Sequence, residues 1–233
     1  MQQQLTDLLA KLQNAFDTTL VSVILYGSAA TGEHDAGFSD LNVLCVLKRV
    51  TPLELSQAEP VWTWWRERGY PSPLLLSEEE VSQSTDSFPL EFRDMSQQRK
   101  VLYGPDLIAD LKVSHTYHRA VLERELRVNL LRLRQKAAAV LSNPEELLRL
   151  CAGSVTTFCV LGRHLLLASG AENEHGRRAV LAQLAERLKI DTAPLTKLLD
   201  VRESKAADGV EIQGLFAQYL MTIEAMVRHA DQL

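Results

Sequence analysis

Gly27, Ser28, Asp40 and Asn42 are the residues whose types and spacing could do chemistry. Glycine lets a ligand come close to the backbone. A Gly-Ser turn between a strand and a helix start also offers backbone N–H groups to a phosphate. Asp40 comes twelve residues after Ser28, at the start of the next apolar run. Positions 40 and 42 of a strand share one face. Two carboxylates at that spacing would clamp a magnesium ion, and the ion would hold the phosphates of a nucleotide. A third carboxylate on a neighbouring strand could act as general base or as a further metal ligand. Position 42 is asparagine. Its amide oxygen can ligate magnesium but brings no full charge, so metal capture weakens first and rate second.

The elements that must position these residues read as follows. Leu5, Leu8, Leu9, Leu12 and Phe16 recur at helical spacing. LVSVILYG (20–27) and LNVLCVL (41–47) are apolar, β-branched runs and predict buried strands. Thr51 and Pro52 predict a helix start, and Pro60 predicts a kink or a break into two pieces. SPLLL (72–76) predicts a third strand, and Ser77 with Glu80 has capping-box spacing before a short helix. FPLEF (88–92) predicts a fourth strand and KVLYG (100–104) a short fifth. Beyond about residue 105 only helical periods remain. The fold class is therefore α+β: a mixed sheet with helices over residues 1–112, then an all-α helical bundle over 113–233.

The run GSAATGEHDAGFSDLN, residues 27 to 42, resembles the Gly-Ser…Asp-x-Asp/Glu signature of the DNA-polymerase-β-like nucleotidyltransferases. The order of elements is similar to that of the aminoglycoside (streptomycin/spectinomycin) adenylyltransferases. The motif covers the first half of the chain, and the second half matches by helical layout alone. The resemblance implies an adenylyltransferase-like enzyme that moves a nucleoside monophosphate from an NTP, ATP first among them, to a hydroxyl of a small molecule. Mg2+ would be the cofactor. It implies that Gly27 and Ser28 hold the triphosphate and that Asp40 and position 42 bind the metal. A later acid would be the base or a further metal ligand, and Glu91 in FPLEF is the best candidate, with Asp94 behind it. Asn42 departs from the pattern. The alternative is a catalytically impaired nucleotide- or ligand-binding module, and a third reading is a partner-binding protein that keeps only the fold. Nucleotide and acceptor are expected to meet between the two domains. The acceptor itself is not legible.

Other charged and aromatic residues have plainer readings. Glu33 and Asp35 read as a solvated loop. Arg119, Arg124, Arg127, Arg132, Arg134 and Lys136 read as a salt-bridged helix face, with one or two able to reach phosphate. Lys48, Arg49, Arg99 and Lys100 are weaker phosphate candidates near strand ends. His115 and His118 lack a third ligand for a metal, and His164 reads as a buried histidine. Trp62 and Trp65 share a helix face toward the core, and Trp64 points elsewhere. The three cysteines cannot all pair within the chain and read as buried free thiols, which fits a cytoplasmic protein. A net charge of -5 argues against nucleic acid as a partner. No run of about 18 apolar residues marks a membrane span.

Overall fold

Leu20–Tyr26 (β1) is apolar at every position but Ser22 because both of its faces are buried. It is one of the two inner strands of a four-stranded mixed sheet that also holds Asn42–Leu47 (β2), Leu74–Ser77 (β3) and Arg99–Tyr103 (β4), in the order β3-β2-β1-β4. The computed structural model describes residues 1–30, 41–113, 116–171, 176–204 and 211–233. β1 runs antiparallel to β2 and β4, and β2 runs parallel to β3. The chain divides into two compact units, Met1–Ser114 and His115–Leu233.

In the first unit, each face of the sheet carries its own core. Leu20, Val23 and Leu25 of β1 and Val43, Cys45 and Leu47 of β2 face Gln2–Phe16 (α1) and Pro52–Arg66 (α2). Ile24, Leu44 and Val46 face the other way, toward Glu78–Gln83 (α3) and Pro89–Gln97 (α4). Both capping boxes form, Thr51 with Glu54 on α2 and Ser77 with Glu80 on α3. α2 is a single helix with Pro60 inside it. Pro60 removes the bond to the Ser56 carbonyl, but Ser56 is exposed, so water can take its place. Trp65 is fully buried and stacks on Tyr70 at 4.4 Å between ring centroids. Trp62 is half-buried, edge-on to Phe16. Trp64 lies under two cations, with Lys11 Nζ 4.8 Å and Arg68 Cζ 4.2 Å from its ring, so they occupy the face a stacking ligand would use.

One expected strand is a helix. FPLEF does not extend the sheet; residues 89–97 form α4, with Pro89 in its first turn. A short apolar run cannot separate strand from helix. The deciding residues lie past it, because Met95 falls three after Phe92 and both pack on the sheet. Glu91 therefore sits in the first helical turn and is exposed.

Among the described residues the regular structure of the second unit is all helix: His118–Ala138 (α5), Pro144–Ala168 (α6), Arg177–Leu188 (α7), Ala193–Ser204 (α8) and Ile212–Gln232 (α9). Asn143 caps α6, accepting from the Glu146 N–H at 3.2 Å, and Pro144 stands at its first position. α6 is apolar and long enough to cross a membrane, but more than half of that stretch is buried inside the protein. It is the central helix of the bundle, and Cys151 and Cys159 are buried in it. Burial pushes both of these thiols and that of Cys45 up to about 12, so none is a ready nucleophile. His118 and His164 are buried against each other, with His118 Nε2 3.1 Å from His164 Nδ1. His115 lies outside the described residues.

Candidate nucleotide site

The end of β1 turns sharply at Gly27. Its φ of +76° lies in the left-handed region that glycine adopts without strain. The Gly27 N–H donates to the Gln98 carbonyl at 2.9 Å, and the Gly27 carbonyl accepts from the Ala30 N–H at 2.9 Å. A short 3₁₀ turn, Ser28–Ala30, follows. A Cβ on Gly27 would come within 3.3 Å of Asn42 Nδ2, so turn and amide are immediate neighbours. Asn42 opens β2 directly opposite Tyr26 of β1. Strand alternation puts Asn42 on the face of Leu44 and Val46, which α4 covers.

That face is where the acids arrive. Phe92 and Met95 anchor α4 on Ile24, Leu44 and Val46, and Tyr26 packs against the same core. Glu91 and Asp94 are thereby carried close to Tyr26. Burial raises the Tyr26 hydroxyl above its ordinary range, and the negative charges of Glu91 and then Asp94 raise it further. Gly27, Asn42, Tyr26, Glu91 and Asp94 thus lie together around one end of the sheet. Asp40 lies outside the described residues, as do Glu33 and Asp35. Among the described residues no group of three or more His, Cys, Asp or Glu side chains stands together as a metal site. The oxygen donors present, an amide and two carboxylates, are of the hard type that magnesium takes.

Arg99 is structural. Its Nε lies 2.9 Å from both Asp106 carboxylate oxygens, and its Nη1 donates to the Ser96 and Met95 carbonyls. The pair fixes the start of β4 next to Gln98, whose carbonyl holds the Gly27 turn. The hydrogen bond from Arg99 is the main cause that holds the Asp106 carboxyl below its ordinary range. A depressed acid adds stability above its unfolded pKa of about 3.9, and that stability is lost as pH falls through the lower folded value. Asp106→Asn is therefore expected to lower the urea midpoint at neutral pH and to flatten its decline below about pH 4. A variant with the parent's full acid dependence would show that the pair contributes nothing. Arg49 bonds Glu54 at 3.3 Å and is likewise occupied.

No protein-family model and no curated protein matches the sequence. A solved structure does match: spectinomycin adenyltransferase AAD(9) from Enterococcus faecialis, crystallised with ATP and spectinomycin. The TM-score is 0.63 at 12% identity, over 98% of this chain and 98% of that one. The protein has a nucleotidyltransferase-like fold. In this nucleotidyltransferase-like fold, Tyr26 and Gln98 frame the turn without having stood out in the sequence. Tyr26 adjoins the Gly-Ser pair and could have been suspected from that. Gln98 acts through its carbonyl, which leaves no trace in side-chain chemistry.

Proposed function

We propose that the protein is a magnesium-dependent nucleotidyltransferase that moves a nucleoside monophosphate from ATP to a hydroxyl of a small molecule. The observation that carries this reading is the convergence of the Gly27 turn, Asn42 and the α4 acids on one end of a sheet whose fold is nucleotidyltransferase-like. The solved neighbour was crystallised with ATP and a small-molecule acceptor, which supports the same classes of ligand here.

In this reading the acceptor oxygen bonds to the α-phosphorus of the NTP, the bond to the β-phosphate oxygen breaks, and pyrophosphate leaves. Glu91 takes the proton from the acceptor hydroxyl, and its exposed position on α4 leaves it open to solvent-borne substrate. Gly27, lacking a side chain, lets the phosphates approach the turn, and Ser28 offers its backbone N–H to them. Asp40 and Asn42 would hold Mg2+, which neutralises phosphate charge when bound. Holding the reactants in place supplies much of the acceleration. The three free cysteines fit a cytoplasmic setting.

One observation favours a second reading, a binding module with little transfer activity: the second carboxylate position of the motif is Asn42. Calorimetric titration of ATP with magnesium, and again with EDTA, separates the outcomes. Binding that needs magnesium, followed by pyrophosphate release with an acceptor hydroxyl, supports the enzyme. Magnesium-dependent binding with no pyrophosphate release across an acceptor screen supports the module. No binding of ATP, GTP, CTP or UTP overturns both.

A further inference from the structure

The cations of α5 fall into two sets. Arg127 and Arg134 pair with Asp231 and Glu224 of α9, Arg119 donates to the Asp231 carbonyl, and Arg124 pairs with Glu125. Arg132 and Lys136 make no hydrogen bond or ion pair from their side chains among the described residues. They stand four apart on one helix face, a like-charge spacing that costs helix stability. The side chain of Arg149 of α6 is also unpaired among the described residues, although Glu145 stands one turn before it.

These three cations line one groove between α5 and α6, of about 460 Å³. That volume suits a small molecule. Among the described residues no carboxylate lines the groove, although the chain carries more acids than bases. Its wall on α6 includes the buried ring of Phe158, the exposed Thr157 and Gly153. Gly153 is inside a helix, where glycine is a poor choice, and a Cβ there would meet only open space. The missing side chain leaves the α6 backbone bare to the groove. Unpaired positive charge, a bare backbone and a nearby apolar ring are complementary to an anion with an organic body. Arginine guanidinium matches phosphate oxygens in a fork geometry.

We propose that this α5–α6 groove binds a small organic phosphate carrying at least two negative charges, held by Arg132, Lys136 and Arg149. The proposal does not depend on nucleotidyl transfer. Inorganic pyrophosphate is the probe, observed by phosphorus NMR with EDTA present so that metal-dependent binding is silent. The expected result is binding that falls with salt and is equal in the parent and in Asp40→Ala. Arg149→Ala and the double variant Arg132→Ala/Lys136→Ala should each weaken it by about tenfold or more. Gly153→Leu should raise thermal stability, because leucine is the better helix former, and yet lose binding because its side chain fills the groove. That opposite pair of effects cannot come from misfolding. Absence of pyrophosphate binding in the parent overturns the proposal, as does binding unchanged in all three groove variants. Tighter binding in Asp40→Ala would also overturn it, because without metal the loss of that carboxylate helps an anion only when it sits beside it, at the Gly27 turn. Displacement of pyrophosphate by much tighter single-stranded RNA, through the same three cations, would overturn the small-molecule class.

Discussion

Asp40→Ala is expected to abolish magnesium-dependent ATP binding, and Asn42→Asp to strengthen it by on the order of tenfold to a hundredfold. The two variants change the same quantity in opposite directions: the negative charge offered to a hard divalent cation. Asn42 is already placed for the task. It opens β2 opposite Tyr26, and its amide nitrogen sits against the Gly27 turn. Exchanging the amide for a carboxylate keeps shape and volume, so the change is one of charge. Without metal the new carboxylate is less comfortable, because Glu91 and Asp94 already lie near Tyr26 on the same face. Asn42→Asp should therefore melt lower than the parent in EDTA and gain more from magnesium. Glu91→Gln is the companion variant: as the proposed base, its loss should lower pyrophosphate release while ATP binding persists. Calorimetry and a thermal melt at several magnesium concentrations check all three. If Asp40→Ala and Asn42→Asp both bind as the parent does, the metal assignment is wrong.

What could be read from the chain depended on how local the signal was. Strands β1 and β2 were legible because continuous burial writes a nearly continuous apolar run, and Thr51 and Ser77 were legible as caps because capping needs only neighbours. The turn at Gly27 was legible for the same reason. Glu91 was selected as the candidate acid but placed on the wrong element. FPLEF has too few residues to show a period, and only Phe92 and Met95 packing on the sheet settles it as helix. The neighbourhood of Tyr26, Asn42 and α4 was beyond local reading, since it needs the β1–β2 register. The α5–α6 groove was hidden in another way. Arg132 and Lys136 look like the other cations of α5 until the partners of Arg127 and Arg134 are seen on α9.

Gly104→Ala should be among the most destabilising single substitutions in the first unit, at about 3 kcal/mol or more. Two costs combine there. Gly104 has a φ of +73°, where a side chain is strained by about 1–2 kcal/mol. Its Cβ would also stand 2.0 Å from the Val21 carbonyl oxygen, and a backbone atom of an inner strand cannot rotate away. Relief requires moving the end of β4. That end is held by the buried Ser22 hydroxyl, which donates to the Pro105 carbonyl at 2.8 Å, with the Tyr103 carbonyl at 3.1 Å. The other end of β4 adjoins Gln98, whose carbonyl receives the Gly27 N–H, so a displaced β4 should also loosen the turn. Gly69→Ala isolates the first cost. Gly69 has a φ of +84°, and its Cβ would meet nothing within 4 Å, so only the conformational strain of about 1–2 kcal/mol applies. Urea unfolding of the two variants beside the parent measures the difference. Equal losses would mean that β4 yields without cost at its end, and then Gly104→Ala should leave ATP binding untouched. A larger loss at Gly104, accompanied by weaker ATP binding, would show that the edge strand holds the Gly27 turn in place.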